Sequence, residues 1–157
     1  MISVAAEDIK RAMSQENPWW SDLPEITGKY RELKKRQFLP EVKRLVMREK
    51  PNREVILLGP RRVGKTVLVH HLIHSLIEDE GVDASRILYA QIDNPLYVAM
   101  SLVQILEYFQ EITGSDWRTK KCYIFFDEIQ YLNEWELHLK SIHDLGGASR
   151  FVATGSA

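Results

Sequence analysis

The sequence has a single cysteine, Cys122, among 157 residues, so no disulfide framework can form within it and a reducing compartment suits it. Cys122 opens an apolar run and reads as a buried, inert thiol rather than a nucleophile. No apolar run approaches the length needed to cross a bilayer. The N-terminus, Met1-Ile2-Ser3-Val4-Ala5-Ala6-Glu7-Asp8, lacks the basic stretch and apolar core of a secretory leader. These absences point to a cytoplasmic protein without a membrane partner. Charge of one sign is lacking too: the net charge of −1 gives no global field toward nucleic acid or acidic lipid. There is no internal repeat and no low-complexity tract. An Asn-Lys-x-Asp guanine-reading motif is absent, which argues against a GTPase. His70 and His74 have the i,i+4 spacing of a metal pair, but no glutamate of an H-E-x-x-H pattern lies between them and no third ligand is evident. They and His71 therefore read as surface or edge residues. The apolar fraction of 45% and charged fraction of 27% are those of an ordinary globular protein, one domain's worth of chain with a real core.

What is present is Gly59-Pro60-Arg61-Arg62-Val63-Gly64-Lys65-Thr66, which fits the phosphate-binding pattern G-x-x-x-x-G-K-[ST]. Ahead of it, Val55-Ile56-Leu57-Leu58 has the unbroken apolar character of a strand buried on both faces. Behind it, Val67, Leu68, Leu72, Ile73, Leu76 and Ile77 recur at helical spacing up to Gly81, a helix stop. Strand, glycine loop and helix make an anion-binding nest of backbone N–H groups at the positive end of a helix dipole. Gly59 and Gly64 permit backbone angles and a phosphate approach that a Cβ would obstruct. The loop from Gly59 to Val67 is thus a candidate nucleotide site, with Lys65 reaching the β/γ-phosphates and the Thr66 hydroxyl taking one Mg²⁺ position.

Residues 1–50 read as an N-terminal, partly basic helical extension, and 51–157 as the core. Ile9 and Met13 share one face of a short helix over Ile2 to Met13, which Asn17-Pro18 breaks. Trp19-Trp20 either plug a groove on the main domain or anchor a protein partner. Between 29 and 50, Lys29, Arg31, Lys34, Lys35, Arg36, Lys43, Arg44, Arg48 and Lys50 outnumber Glu32, Glu41 and Glu49. Phe38, Val42, Leu45 and Val46 make an apolar stripe among them. This segment is a solvated helix face or a nucleic-acid contact. Pro51-Asn52 separates it from the first core strand.

Further on, Arg86 to Ile92 predicts a strand, Asp93-Asn94-Pro95 a turn, and Leu96 to Ile112 a helix with Val103, Leu106, Phe109 and Gln110 spaced around it. Tyr123-Ile124-Phe125-Phe126 is a buried strand ending in Asp127-Glu128. A central parallel strand delivers such acids to the sheet edge where the glycine loop lies. Asp127 would hold Mg²⁺, and Glu128 would orient and deprotonate an attacking water. The plainer account is an acidic first helical turn. Residues 133–145 predict a helix capped by Asn133, with Trp135, Leu139 and Ile142 inward. Phe151-Val152-Ala153-Thr154-Gly155-Ser156 is a last strand. If it lies between the loop strand and the acid strand, Thr154 or Ser156 points at the γ-phosphate or the attacking water, where a hydroxyl can sense the γ-phosphate; the plainer account is a strand ending in an ordinary polar turn. Alternating strands and helices imply an α/β fold, a mostly parallel sheet covered on both faces.

Gly59-Pro60-Arg61-Arg62-Val63-Gly64-Lys65-Thr66, then Asp127-Glu128-Ile129-Gln130 with Trp135 downstream, then Thr154-Gly155-Ser156, resemble in order the prokaryotic AAA-type P-loop ATPases. Their signatures are G-P-R-x-x-G-K-T, D-E-I-Q and T-G-S, and Asn17-Pro18-Trp19-Trp20 is similar to their lead-in. The resemblance implies a P-loop NTPase three-layer sandwich with AAA-like strand order. It implies ATP and Mg²⁺ at Lys65, Thr66 and Asp127, Glu128 as catalytic base, and Ser156 or Thr154 as sensor. Members of the family continue past T-G-S into a helical lid and C-terminal domains, whereas this sequence stops at Ala157. The likeness is to the N-terminal ATP-binding part. Missing C-terminal domains of a longer homologue, or neighbouring subunits of an oligomer, are the partners it implies. The expected activity is ATP hydrolysis to ADP and phosphate, weak without lid or partner. The alternatives are a nucleotide-dependent interaction module or a fragment without turnover, and a nucleic-acid-associated ATPase.

Overall fold

The computed structural model describes residues 2–21, 30, 33–60 and 63–156. Strands β1 (Val55–Leu58), β2 (Ile87–Gln91), β3 (Tyr123–Asp127) and β4 (Arg150–Gly155) form a four-stranded sheet in the order β1-β4-β3-β2, every neighbour parallel. Helices α1 (Ile2–Glu16), α2 (Leu39–Met47), α3 (Lys65–Glu78), α4 (Leu102–Thr113) and α5 (Trp135–Leu145) flank it. The last strand inserts between the first and the third. This is the arrangement on which the reading of Thr154 and Ser156 depended, and it brings the ends of β1, β3 and β4 together.

The pleat explains the layers, because successive side chains of a strand leave on opposite faces. Ile87, Tyr89, Tyr123, Phe125 and Val152 face one side, where α2 packs through Leu39, Val42 and Val46 and α3 through Leu72, Ile73 and Leu76. Leu88, Ala90, Ile124, Phe126, Phe151 and Ala153 face the other, against α4 and α5 and Met13 of α1. The result is a helix–sheet–helix sandwich. Cys122 is fully buried among the second set, and burial pushes its thiol up to about 11, so it stays protonated and inert.

Several expectations are corrected. β1 is not buried on both faces: Ile56 is 42% and Leu58 64% exposed, because β1 is an edge strand with β4 on one side only among the described residues. His70, His71 and His74 are not surface residues. All are buried, since α3 is covered on its outer side by Trp19 and Tyr30 as well as by the sheet. Phe38 is outside the α2 stripe. It is the exposed N-cap residue, and Leu39 takes the inward position. The helix expected over 96–112 starts only at Leu102. Ser101 and Gln104 form a reciprocal capping box, and 94–100 is folded into turns by Asn94 and Tyr97. The α5 cap is Glu134 in the left-handed region, not Asn133. Arg86 lies in a short 3₁₀ turn ahead of β2.

In the basic segment, Lys43 pairs with Glu80 at 2.7 Å and Arg44 with Glu41 at 2.6 Å. Lys29, Arg31 and Glu32, like Arg61 and Arg62 of the glycine loop, lie outside the described residues. Among the described residues no helix is long and apolar enough to cross a membrane.

Candidate nucleotide site

The glycine loop leaves β1 at Leu58 and enters α3 at Lys65. Gly64 is the α3 N-cap with φ +93°, a left-handed conformation that side chains with a Cβ rarely adopt. The space beside it is also taken: an added Cβ would come within 2.3 Å of Nε of Arg36. Lys65 Nζ donates to the backbone carbonyls of Gly59 at 2.8 Å and Pro60 at 2.7 Å, folding back across the loop it serves. The Gly59 N–H donates to Gly155 O at 3.2 Å, tying the loop to the end of β4.

Asp127, at the end of β3, is buried at 2% exposure and surrounded by hydroxyls. Thr66 Oγ1 donates to its Oδ2 at 2.8 Å, and the Tyr89 hydroxyl to the same oxygen at 2.5 Å. Thr154 Oγ1 bonds to Oδ1. Burial and the neighbouring Asp127 charge push the Tyr89 phenol far above its ordinary range, so it remains a donor. An oxygen-only pair, one hydroxyl and one carboxylate from two elements, is the donor set that suits Mg²⁺, which prefers hard ligands and keeps several waters. The residues fit the ion.

Glu128 follows in the left-handed region with φ 57°. A non-glycine residue there is strained, and such strain concentrates at functional sites. Its backbone N–H donates to Thr154 Oγ1 at 3.1 Å, and its Oε2 accepts from Gln130 Nε2 at 2.5 Å. Gln130 Oε1 accepts from the Ser156 backbone N–H at 3.2 Å. Of the two hydroxyl residues expected to face the phosphates, Thr154 is therefore the one joined to both acids. Ser156 meets the acid strand through its backbone and Gln130.

Arg36, Gly64, Lys65, Thr66, Val67 and Glu128 line an open hollow of about 280 Å³ beside the loop. A second hollow of about 590 Å³ adjoins it, lined by Arg36, Phe38, Val42, Ile56, Leu58, Val63 and Leu68 among others. The polar hollow suits phosphates and the apolar one a flat base or another apolar group. Three of these contributors had no functional reading from sequence. Arg36 was one cation among many, and only the fold lays it on Gly64. Tyr89 was one aromatic in a strand, although its alternation places it on the face shared by Ile87. Gln130 stood in the D-E-I-Q match without a role.

Sheet order and glycine loop together define a P-loop NTPase fold with AAA-like strand order. A family model described as an AAA domain matches residues 51–157, and the chain belongs to that family of nucleotide-binding domains. The chain is 32% identical over 137 residues to the uncharacterized protein MJ1637 of Methanocaldococcus jannaschii, with 85% of this chain covered. It spans only 28% of that relative's length. Among solved structures it is similar in fold to PCH-2 of C. elegans, with a TM-score of 0.53 and 19% identity over 76% of this chain and 36% of that one.

Proposed function

We propose that this AAA-type domain binds Mg²⁺-ATP at the glycine loop and hydrolyses it to ADP and phosphate. The observation that carries this is the 2.8 Å contact between Thr66 Oγ1 and Asp127 Oδ2, which joins the loop to the acid strand with Glu128 next in the chain. In this reading the backbone from Gly59 through Val67, with Pro60, Arg61, Arg62 and Val63 between the glycines, cradles the phosphates. Lys65 leaves the Gly59 and Pro60 carbonyls for the β/γ-phosphates, and Arg36 supplies a second cation from outside the loop. Thr66 and Asp127 would hold the Mg²⁺, which when bound would neutralise charge developing on the phosphates. Glu128 accepts a proton from a water whose oxygen bonds to the γ-phosphorus while the bond to the β–γ bridging oxygen breaks, and ADP leaves. Gln130 holds the carboxylate of Glu128 until then. Thr154 registers an occupied γ-position in this reading, which its bonds to Asp127 and to the Glu128 N–H support.

The test is phosphate release by the wild type and by Glu128→Gln. The expected result is measurable release that falls at least about a hundred-fold in the variant while ATP binding is kept. Equal release by both would remove Glu128 from the reaction. Binding with no release by the wild type would favour an interaction module that uses nucleotide only to order a surface.

A further inference from the structure

One buried hydroxyl in the site comes from outside the glycine loop, the acid strand and β4. Tyr89 lies on β2, the strand at the far edge of the sheet from the loop, and its hydroxyl reaches the end of the neighbouring β3 to donate to Asp127 Oδ2 at 2.5 Å. That oxygen is also the one held by Thr66. Tyr89 is fastened at its backbone as well, by a side chain rather than by another strand. Its N–H donates to Asn17 Oδ1 at 2.7 Å, and Asn17 Nδ2 donates to its carbonyl at 2.8 Å. Both groups that a further strand would pair are thus satisfied by one buried amide. The neighbouring tryptophans extend the clamp: Trp19 and Trp20 donate their indole N–H groups to Ile87 O at 3.2 and 2.7 Å. The Tyr89 ring packs on His70 at 4.6 Å, and His70 stacks on Tyr30 at 4.1 Å.

We propose that Tyr89 is a positioning residue for the Asp127 carboxylate, and that the Asn17–Trp20 segment sets the position of Tyr89 and so tunes how tightly the site takes Mg²⁺ with nucleotide. The inference rests on the Mg²⁺-ATP reading above. The physical reason is that a buried carboxylate has few ways to keep its oxygens aimed. Thr66 must turn from Asp127 toward a bound ion, whereas the Tyr89 hydroxyl, anchored on a separate strand, can stay and hold Oδ2 in place. Outer-shell partners of this kind are worth roughly ten- to a hundred-fold in metal affinity. The lead-in segment is therefore more than a plug over an apolar groove: its amide determines where the strand carrying Tyr89 sits.

The experiment is calorimetry of ATP binding in EDTA and in excess Mg²⁺, giving the gain in affinity that Mg²⁺ confers, for wild type, Tyr89→Phe, Asn17→Ala and the double variant. Phenylalanine keeps the ring against His70, so the fold is retained. The expected result for Tyr89→Phe is unchanged affinity in EDTA and a Mg²⁺-dependent gain reduced about ten-fold. Asn17→Ala is expected to reduce the gain about three-fold by itself and to add nothing in the Tyr89→Phe background, because both act through one hydroxyl. An unchanged gain in Tyr89→Phe would overturn the proposal alone. Full additivity in the double variant would overturn the link to the lead-in. Absence of any ATP binding by the folded wild type would instead overturn the nucleotide reading on which it rests.

Discussion

The two edges of the sheet are finished differently. At the β2 edge the chain supplies its own covering: Asn17 pairs with Tyr89, the tryptophans with Ile87, and Glu16 Oε2 accepts from the Gln91 N–H at 2.9 Å. At the β1 edge nothing described lies beyond the strand, and Ile56 and Leu58 stand exposed beside Val63 and Phe38. Both strands are short apolar runs, Val-Ile-Leu-Leu and Ile-Leu-Tyr-Ala-Gln, with nothing internal to tell them apart. The outer backbone groups of an edge strand are thus satisfied by distant chain, here residues 16–20, and not by the strand. The covered edge is also the one that feeds a hydroxyl into the site. The bare edge borders the glycine loop and the apolar hollow, and exposed strand edges of this kind are ready templates for another chain.

Trp19→Ala strikes the covered edge hardest. Trp19 is 2% exposed and packs among α2 and α3 residues, so its truncation is expected to cost about 3–5 kcal/mol in urea unfolding. A loss below about 1 kcal/mol would mean the lead-in is only laid on the surface. Leu58→Ala on the bare edge is the matched control. At 64% exposure it should change stability by no more than about 0.5 kcal/mol, and a loss like that of Trp19 would erase the contrast. The smallest effect concerns Glu16. Burial raises its pKa from the ordinary 4.5, outweighing the hydrogen bonds from Gln91 and Asn94 that pull it down. A raised acid favours the folded state when protonated. Its contribution is therefore full below pH 4.5 and lost as pH rises through the folded pKa. The melting temperature of wild type relative to Glu16→Gln should fall from acid toward neutral pH, and a flat difference would show that Glu16 is not held there.

Much of the site was legible because its parts are local. The glycine loop, the acids at the end of an apolar run and the hydroxyl in Thr154-Gly155-Ser156 each carry their chemistry in consecutive residues, and the strand order then brings them together. What was not legible is contact between distant segments. His70 looked polar and exposed on its helix, yet Tyr30 and Tyr89 close over it. Arg36 belonged to a run of cations until the fold laid it on Gly64. The start of α4 departs from the sequence expectation for a different reason: apolar spacing continues back through Leu96, but the Ser101–Gln104 capping box outweighs it.

The central claim is that the loop and the acid strand form one Mg²⁺-ATP site. Calorimetry of Mg²⁺-ATP on the wild-type chain and on Lys65→Ala tests it most directly. The account predicts saturable one-to-one binding by the wild type and at least about a hundred-fold weaker binding by the variant. Equal binding by both, or none by a folded wild type, would contradict it.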